Sequence, residues 1–220
     1  MTAATDPGHT SQAQSTTRRY RRRRSSFGGH VAATIEPIQR AYRRGDSAAL
    51  AIMAQLRAAA AAIPGQHYTV LGPTLVPQEY LEPNAGDDPS DTEHAKHTAV
   101  TLYAIHQQSI RDRSMHVDGP SFGASVGLLS KASPNSDAVR RRFVALGTAT
   151  TYQETIHHLR SLVRLLREHR ICLDYGLLAE DLVRLRRPGG RTRVQALWGR
   201  DFYRASSEGT ADELAPATEE

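Results

Sequence analysis

The sequence predicts an all-α protein, a bundle of seven or eight helices, on three observations. Aromatic residues make up only 6% of the 220 residues while Ala and Leu are frequent, a composition that favours helices over strands. Apolar residues recur at i, i+3, i+4 and i+7, the period of one helix face. Capping and breaking residues punctuate these stripes at short intervals. With 39% hydrophobic residues the chain can bury a core, and no repeat of solenoid length is present.

Order is expected from about His30, where Val31, Ile35, Ile38 and Tyr42 share a face and Pro37 starts or bends the helix. Gly45 breaks it, Asp46 caps an Ala-rich helix reaching Ile63, and Pro64 with Gly65 stops that one. Two prolines, Pro73 and Pro77, among Val and Leu between Tyr68 and Tyr80 suggest an extended, irregular segment or a short hairpin. A polar loop over 82–90 precedes a helix capped by Asp91, running to about Ser109, with Ala95, Thr98, Leu102 and Ile105 facing the core. The turn over 119–123 leads into a short helix carrying Val126, Leu128 and Leu129. Ser136 opens a helix with Val139, Phe143 and Leu146 in a stripe. Thr151 and Glu154 form a capping box for the next, to about Arg170, and Asp174 caps another. A last helix from about Thr192 presents Val194, Leu197, Trp198, Phe202 and Tyr203.

Charge is unevenly distributed. Residues 1–27 hold six Arg against one Asp, residues 205–220 five carboxylates and no Lys or Arg, residues 28–99 five bases against eight acids, and residues 100–204 seventeen against nine. The C-terminal half is thus basic and suited to polyanions, with nucleic acid the leading partner. Residues 1–27, with the run Arg18, Arg19, Arg21, Arg22, Arg23 and Arg24, are expected as a disordered basic arm. Residues 205–220 are expected as a disordered acidic tail. The longest apolar stretch, 48–63, is too short to span a bilayer, and no apolar segment follows the arginines as in a secretory signal. No membrane partner is expected. A single cysteine, Cys172, excludes an intrachain disulfide and fits a reducing cytoplasm.

The strongest binding signal is on the helix over 151–170, where Arg160, Arg164 and Arg167 fall within roughly 60° of arc opposite Leu159, Leu162, Leu165 and Leu166. On the preceding helix Arg141 points away from the apolar stripe and Arg140 and Arg142 flank it. Arginine donates paired hydrogen bonds to phosphate and never loses its charge, so these six residues are the candidate nucleic-acid contacts. A solvated face partnered by Glu154, Glu168 and Glu180 is the plainer account.

Catalysis finds no seat. His94 and His97 share a face and His106, His157 and His158 lie nearby, but no recognised ligand spacing or HExxH accompanies them, so surface or core histidines explain them and no metal or cofactor is expected. GxSxG and GxxxxGK[ST] are absent, and Cys172 reads as buried and inert. Asp174 is accounted for by capping, Glu180 and Asp181 by a solvated helix face. Trp198, beside Leu197 and Phe202, reads as core rather than as a base-stacking platform.

In order and spacing, "TLYAIHQQS" at 101–109, "GPSFGASVGLL" at 119–129, "RRRFVALGTA" at 140–149, "LRSLVRLLR" at 159–167, "LDYGLLAEDL" at 173–182 and "WGRDFYR" at 198–204 resemble the CasB family, the small subunit of the type I-E CRISPR Cascade complex. The resemblance covers nearly all of 30–204. It implies two small helical subdomains, here 28–133 and a basic 134–204, without enzymatic activity. It further implies assembly with a second copy and with other Cascade subunits carrying guide RNA, and basic residues that hold target and displaced DNA strands during R-loop formation in antiviral defence. The family's basic positions correspond to Arg140, Arg141, Arg142, Arg160, Arg164 and Arg167. Neither tail falls within the family pattern.

Two rivals belong to other classes. A helical DNA-binding transcription regulator would carry a reading helix near its N-terminus, but that half is acidic and its Ala-rich helix offers few side chains able to read base edges. A metal-dependent nuclease or cytosolic hydrolase lacks its ligand clusters.

Overall fold

The computed structural model describes residues 22–81 and 86–207; the expectations for residues 1–21 and 208–220 lie outside the described residues. Among the described residues the fold is all-α, with nine α-helices: α1 Ser26–Arg44, α2 Ser47–Ala58, α3 Leu71–Thr74, α4 Asp91–His106, α5 Phe122–Ala132, α6 Ser136–Thr148, α7 Tyr152–Glu168, α8 Tyr175–Arg186 and α9 Gly190–Ser207. The count exceeds the expected seven or eight by α3, a single turn between two 3-10 turns. That segment forms no hairpin: Pro73 falls in the single turn of α3 and Pro77 caps the 3-10 turn that follows, positions that proline tolerates. None of the described helices is long and apolar enough to cross a membrane.

Helix α4 is central, packed against α1, α2, α7 and α8. The sequence shows only one core stripe on it, yet every residue from Ala95 to His106 is buried, because neighbours close on several sides. Its polar residues therefore need internal partners. Lys96 Nζ donates to the Leu75 carbonyl at 2.6 Å and meets His30 Nε2 at 2.7 Å, and Thr101 Oγ1 donates to the His97 carbonyl at 2.8 Å. Burial lowers the Lys96 ammonium to a pKa of about 8.

Capping follows local chemistry, with small displacements from expectation. Asp46 caps α2 and Asp174 caps α8, while α1 ends on left-handed Gly45 at φ 82°. Helix α4 is capped by Ser90 in a full capping box with Glu93, freeing Asp91 to pair with Arg186 Nε at 2.6 Å. Asn135, one residue earlier than expected, caps α6. Thr151 accepts from the Glu154 N–H at 3.1 Å, but the Glu154 carboxylate returns to the Thr150 N–H at 2.8 Å, so the box is offset by one residue. Helix α4 ends at His106, before the expected Ser109, which adopts φ 64°.

The most intimate helix pair is α5 with α9. A Cβ on Gly123 would collide with the Trp198 carbonyl oxygen and one on Gly127 with that of Phe202, so both glycines let the two backbones touch. The "GPSFGASVGLL" motif thus encodes a crossing. Val126 and Leu129 complete the buried face, whereas Leu128 is exposed. Gly123→Ala should cost about 1–3 kcal/mol through overpacking, read as a lower urea midpoint; the same change at Gly147, whose Cβ would meet nothing within 4 Å, should not.

Both ends of the fold reach into the segments expected as tails. Ser25 caps α1, so the expected arm over 1–27 gives way to helix at Ser26, and α9 continues through Ser207, past the expected boundary at 205. The arginines just before α1 account for the early start. Arg22 grips Asp181 with two hydrogen bonds of 2.9 and 2.7 Å, and Arg24 Nε donates to Asp174 at 2.8 and 3.0 Å. The Ser25 N–H donates to Glu180 Oε1 at 2.5 Å.

Candidate nucleic-acid interface

Helix α6 lays Val139 and Leu146 into the core and rests Phe143 on Phe202, the rings stacked with centroids 4.4 Å apart. This register leaves Arg140, Arg141 and Arg142 exposed, and Arg142 donates to the Ala138 carbonyl on its own helix at 3.3 Å. Helix α7 buries Leu159, Leu162, Val163 and Leu166. Of its three arginines, Arg164 is exposed and the other two turn toward the chain. Arg160 Nη2 donates to the Ala60 carbonyl at 2.5 Å, and desolvation lowers its pKa, with the nearby Arg164 charge adding to the effect. Arg167 Nη1 donates to Gln108 Oε1 at 3.1 Å. The shared arc expected from the sequence is real, but Arg160 and Arg167 anchor α7 to its neighbours, and of the three Arg164 is the one that faces solvent.

A larger basic surface lies where the sequence pattern indicates only a docking helix. On α9, Arg193, Arg200 and Arg204 stand at i, i+7 and i+11, one stripe, and all are exposed. Arg200 and Arg204, with Arg140 from α6, line an open groove of about 630 Å³ that also contains Tyr203. Arg200 and Arg193 line a second of about 460 Å³, continued by Arg184 and Arg187 at the end of α8. Because Arg200 belongs to both, the grooves form one basic track along α9. The buried stripe of Val194, Trp198 and Phe202 dominates the pattern of this segment; the arginine spacing is the signal that could have found its other face.

Elsewhere, charged side chains do structural work. Glu180 and Asp181, expected on a solvated face, are buried: beyond Arg22, Asp181 accepts from Arg184 at 2.9 Å and from the Trp198 indole N–H at 2.8 Å, while Arg184 also reaches Glu180 at 3.2 Å. Burial opposes the Arg22 charge, but the hydrogen bond and charge of Asp181 more than offset it and raise its pKa. Asp174 does more than cap, accepting the Gly119 N–H at 2.9 Å as well as Arg24. Trp198 is core, as expected. Cys172 is half-buried rather than buried, its thiol donating to the Ser114 carbonyl at 3.2 Å. His97, His106 and His116 are buried and His94 meets the Tyr152 ring edge-on; among the described residues no cluster of three or more His, Cys, Asp or Glu forms a metal cradle.

Comparison with known proteins places this architecture. The family model described as CRISPR-associated protein Cse2 matches residues 52–203. No curated protein sequence matches the chain. Among solved structures, CasB from Thermobifida fusca is similar at 38% identity and a TM-score of 0.68, over 82% of this chain and 99% of that one. A Cse2-family CRISPR-associated protein from Thermus thermophilus is similar at 25% identity and a TM-score of 0.59, over 81% and 98%. A chain of a CRISPR RNA-guided surveillance complex shares the fold at 21% identity and a TM-score of 0.59, over 85% and 99%. Sequence match and fold thus agree over most of the length, and the chain belongs to the CRISPR-associated Cse2 (CasB) family.

Proposed function

We propose that this chain is the small, non-catalytic subunit of a type I-E CRISPR RNA-guided complex, and that its basic helical face binds nucleic-acid backbone and stabilises the R-loop in antiviral defence. The observation that carries the reading is the exposed arginine surface of α6, α7 and α9 on a chain of this family. Exposed guanidinium groups attract phosphate over long range and displace condensed counterions on contact, without reading sequence. Guide pairing would supply specificity, so this subunit needs little of its own. A neighbour of the same fold comes from an RNA-guided surveillance complex, which supports assembly with guide-RNA-bearing subunits; a second copy of this chain and the target and displaced DNA strands are the further partners of this reading.

The test is the salt dependence of single-strand binding. Replacing Arg140, Arg141, Arg142 and Arg164 by Ala should weaken binding and make the log–log salt slope shallower by about 0.7 for each phosphate no longer neutralised. All four side chains are exposed, so the helical circular-dichroism signal should stay. Replacing Arg160 and Arg167 should instead lower stability first, since each holds α7 to a neighbouring segment. Unchanged affinity and slope in the fourfold variant would assign α6 and α7 a merely solvated face.

A further inference from the structure

Tyr203 is 58% exposed, while the adjacent Phe202 on the same helix is fully buried. Its ring is held from beneath: Phe202 meets it edge-to-face at 5.3 Å between centroids, and Phe202 is itself stacked on Phe143 at 4.4 Å with ring planes 13° apart. These three aromatic rings, from α6 and α9, make a rigid ladder whose top rung stands in the groove lined by Arg140, Arg200 and Arg204. An exposed aromatic fixed among cations is what an unpaired base needs, a π-surface beside donors for its phosphates.

We propose that Tyr203 is a base-stacking platform that gives the α9 groove a preference for single-stranded over double-stranded polynucleotide. This rests on the nucleic-acid reading of the basic face and adds a discrimination that charge alone does not supply. A duplex offers the groove its phosphates, but its bases are already stacked and cannot reach the ring. A single strand offers both. The arginines then set affinity and salt dependence, while Tyr203 sets which form of polymer is retained. Stacking uses the π-face that every base carries, so the preference is independent of sequence and common to DNA and RNA.

The full chain is tested at low salt against a fluorescent single strand of deoxythymidylate, the ribo-uridylate equivalent, a duplex of equal length and an abasic strand of equal charge. Tyr203→Ala should weaken single-strand binding at least about fivefold, leave duplex and abasic affinities unchanged and keep the salt slope, whereas Tyr203→Phe should bind as the parent does. The deoxythymidylate and ribo-uridylate strands should both lose affinity, since the stacking surface is common to them. Tyr203→Ala that binds single strands as tightly as the parent, or loses duplex and single strand equally, overturns the proposal while leaving the phosphate-binding reading intact. A parent protein that binds none of the four probes overturns both.

Discussion

Asp181→Ala should unfold this protein more readily than any substitution on its basic surface, lowering stability by about 3–5 kcal/mol. The carboxylate is fully buried, and three groups depend on it: Arg22, Arg184 and the Trp198 indole, all within 2.9 Å. Removing it leaves the indole N–H without a partner in the core and Arg22, whose side chain is 13% exposed, without its hydrogen-bonded counter-charge. Asp181→Asn keeps the shape but turns amide hydrogens toward guanidinium hydrogens and should recover only part of the loss. Arg22→Ala should cost less than Asp181→Ala, since Arg184 and Trp198 still satisfy the acid. Urea unfolding of the three variants orders them; an Asp181→Ala midpoint equal to the parent's would mean that the cluster contributes no net stability.

This cluster also marks where the sequence is legible and where it is not. Helices α5 to α9 follow from apolar period and caps because each decision is local: Asp174 three residues before Leu177, or Thr151 three before Glu154, is enough. The burial of Glu180 and Asp181 is not local. It involves distant partners such as Arg22, 159 residues from Asp181 in a run of arginines that reads as a solvated arm, and only the tertiary structure shows that Arg22 and Arg24 interlock with α8 while Arg23 stays exposed. The same limit applies to the candidate interface. Periodicity places Arg160 and Arg167 on the outer arc of α7 but cannot show the Ala60 carbonyl or Gln108 waiting there. On α9 the buried stripe is legible, whereas the groove opposite needs Arg140 from another helix to close its side.

Stability should fall steeply as pH drops through 6 toward 4, and the cause lies in α4. His106 is fully buried with Nδ1 3.0 Å from the Tyr175 hydroxyl, and desolvation lowers its pKa to about 3. His97 is 3% exposed and is lowered to about 4, again chiefly by desolvation, with the charges of His94 and His67 adding to it. Burial lowers His116 in the same direction. An unfolded histidine titrates near pH 6.5, so below that pH the unfolded chain binds protons that the folded chain refuses, and stability must decrease as pH falls. Each such histidine contributes about 1.4 kcal/mol per pH unit from near pH 6.5 down to its folded pKa. His97 and His106 together should therefore remove several kcal/mol by pH 5 to 4, a large share of the ~5–15 kcal/mol of an ordinary domain. Above pH 7 both states hold the same neutral imidazoles, and this contribution is constant. Urea midpoints measured from pH 7.5 to 4 should trace the fall, and a His97→Gln, His106→Gln variant, whatever its starting stability, should trace a visibly flatter one. Parallel profiles would mean that the acid sensitivity comes from other groups and that these two imidazoles accept a proton without leaving the core.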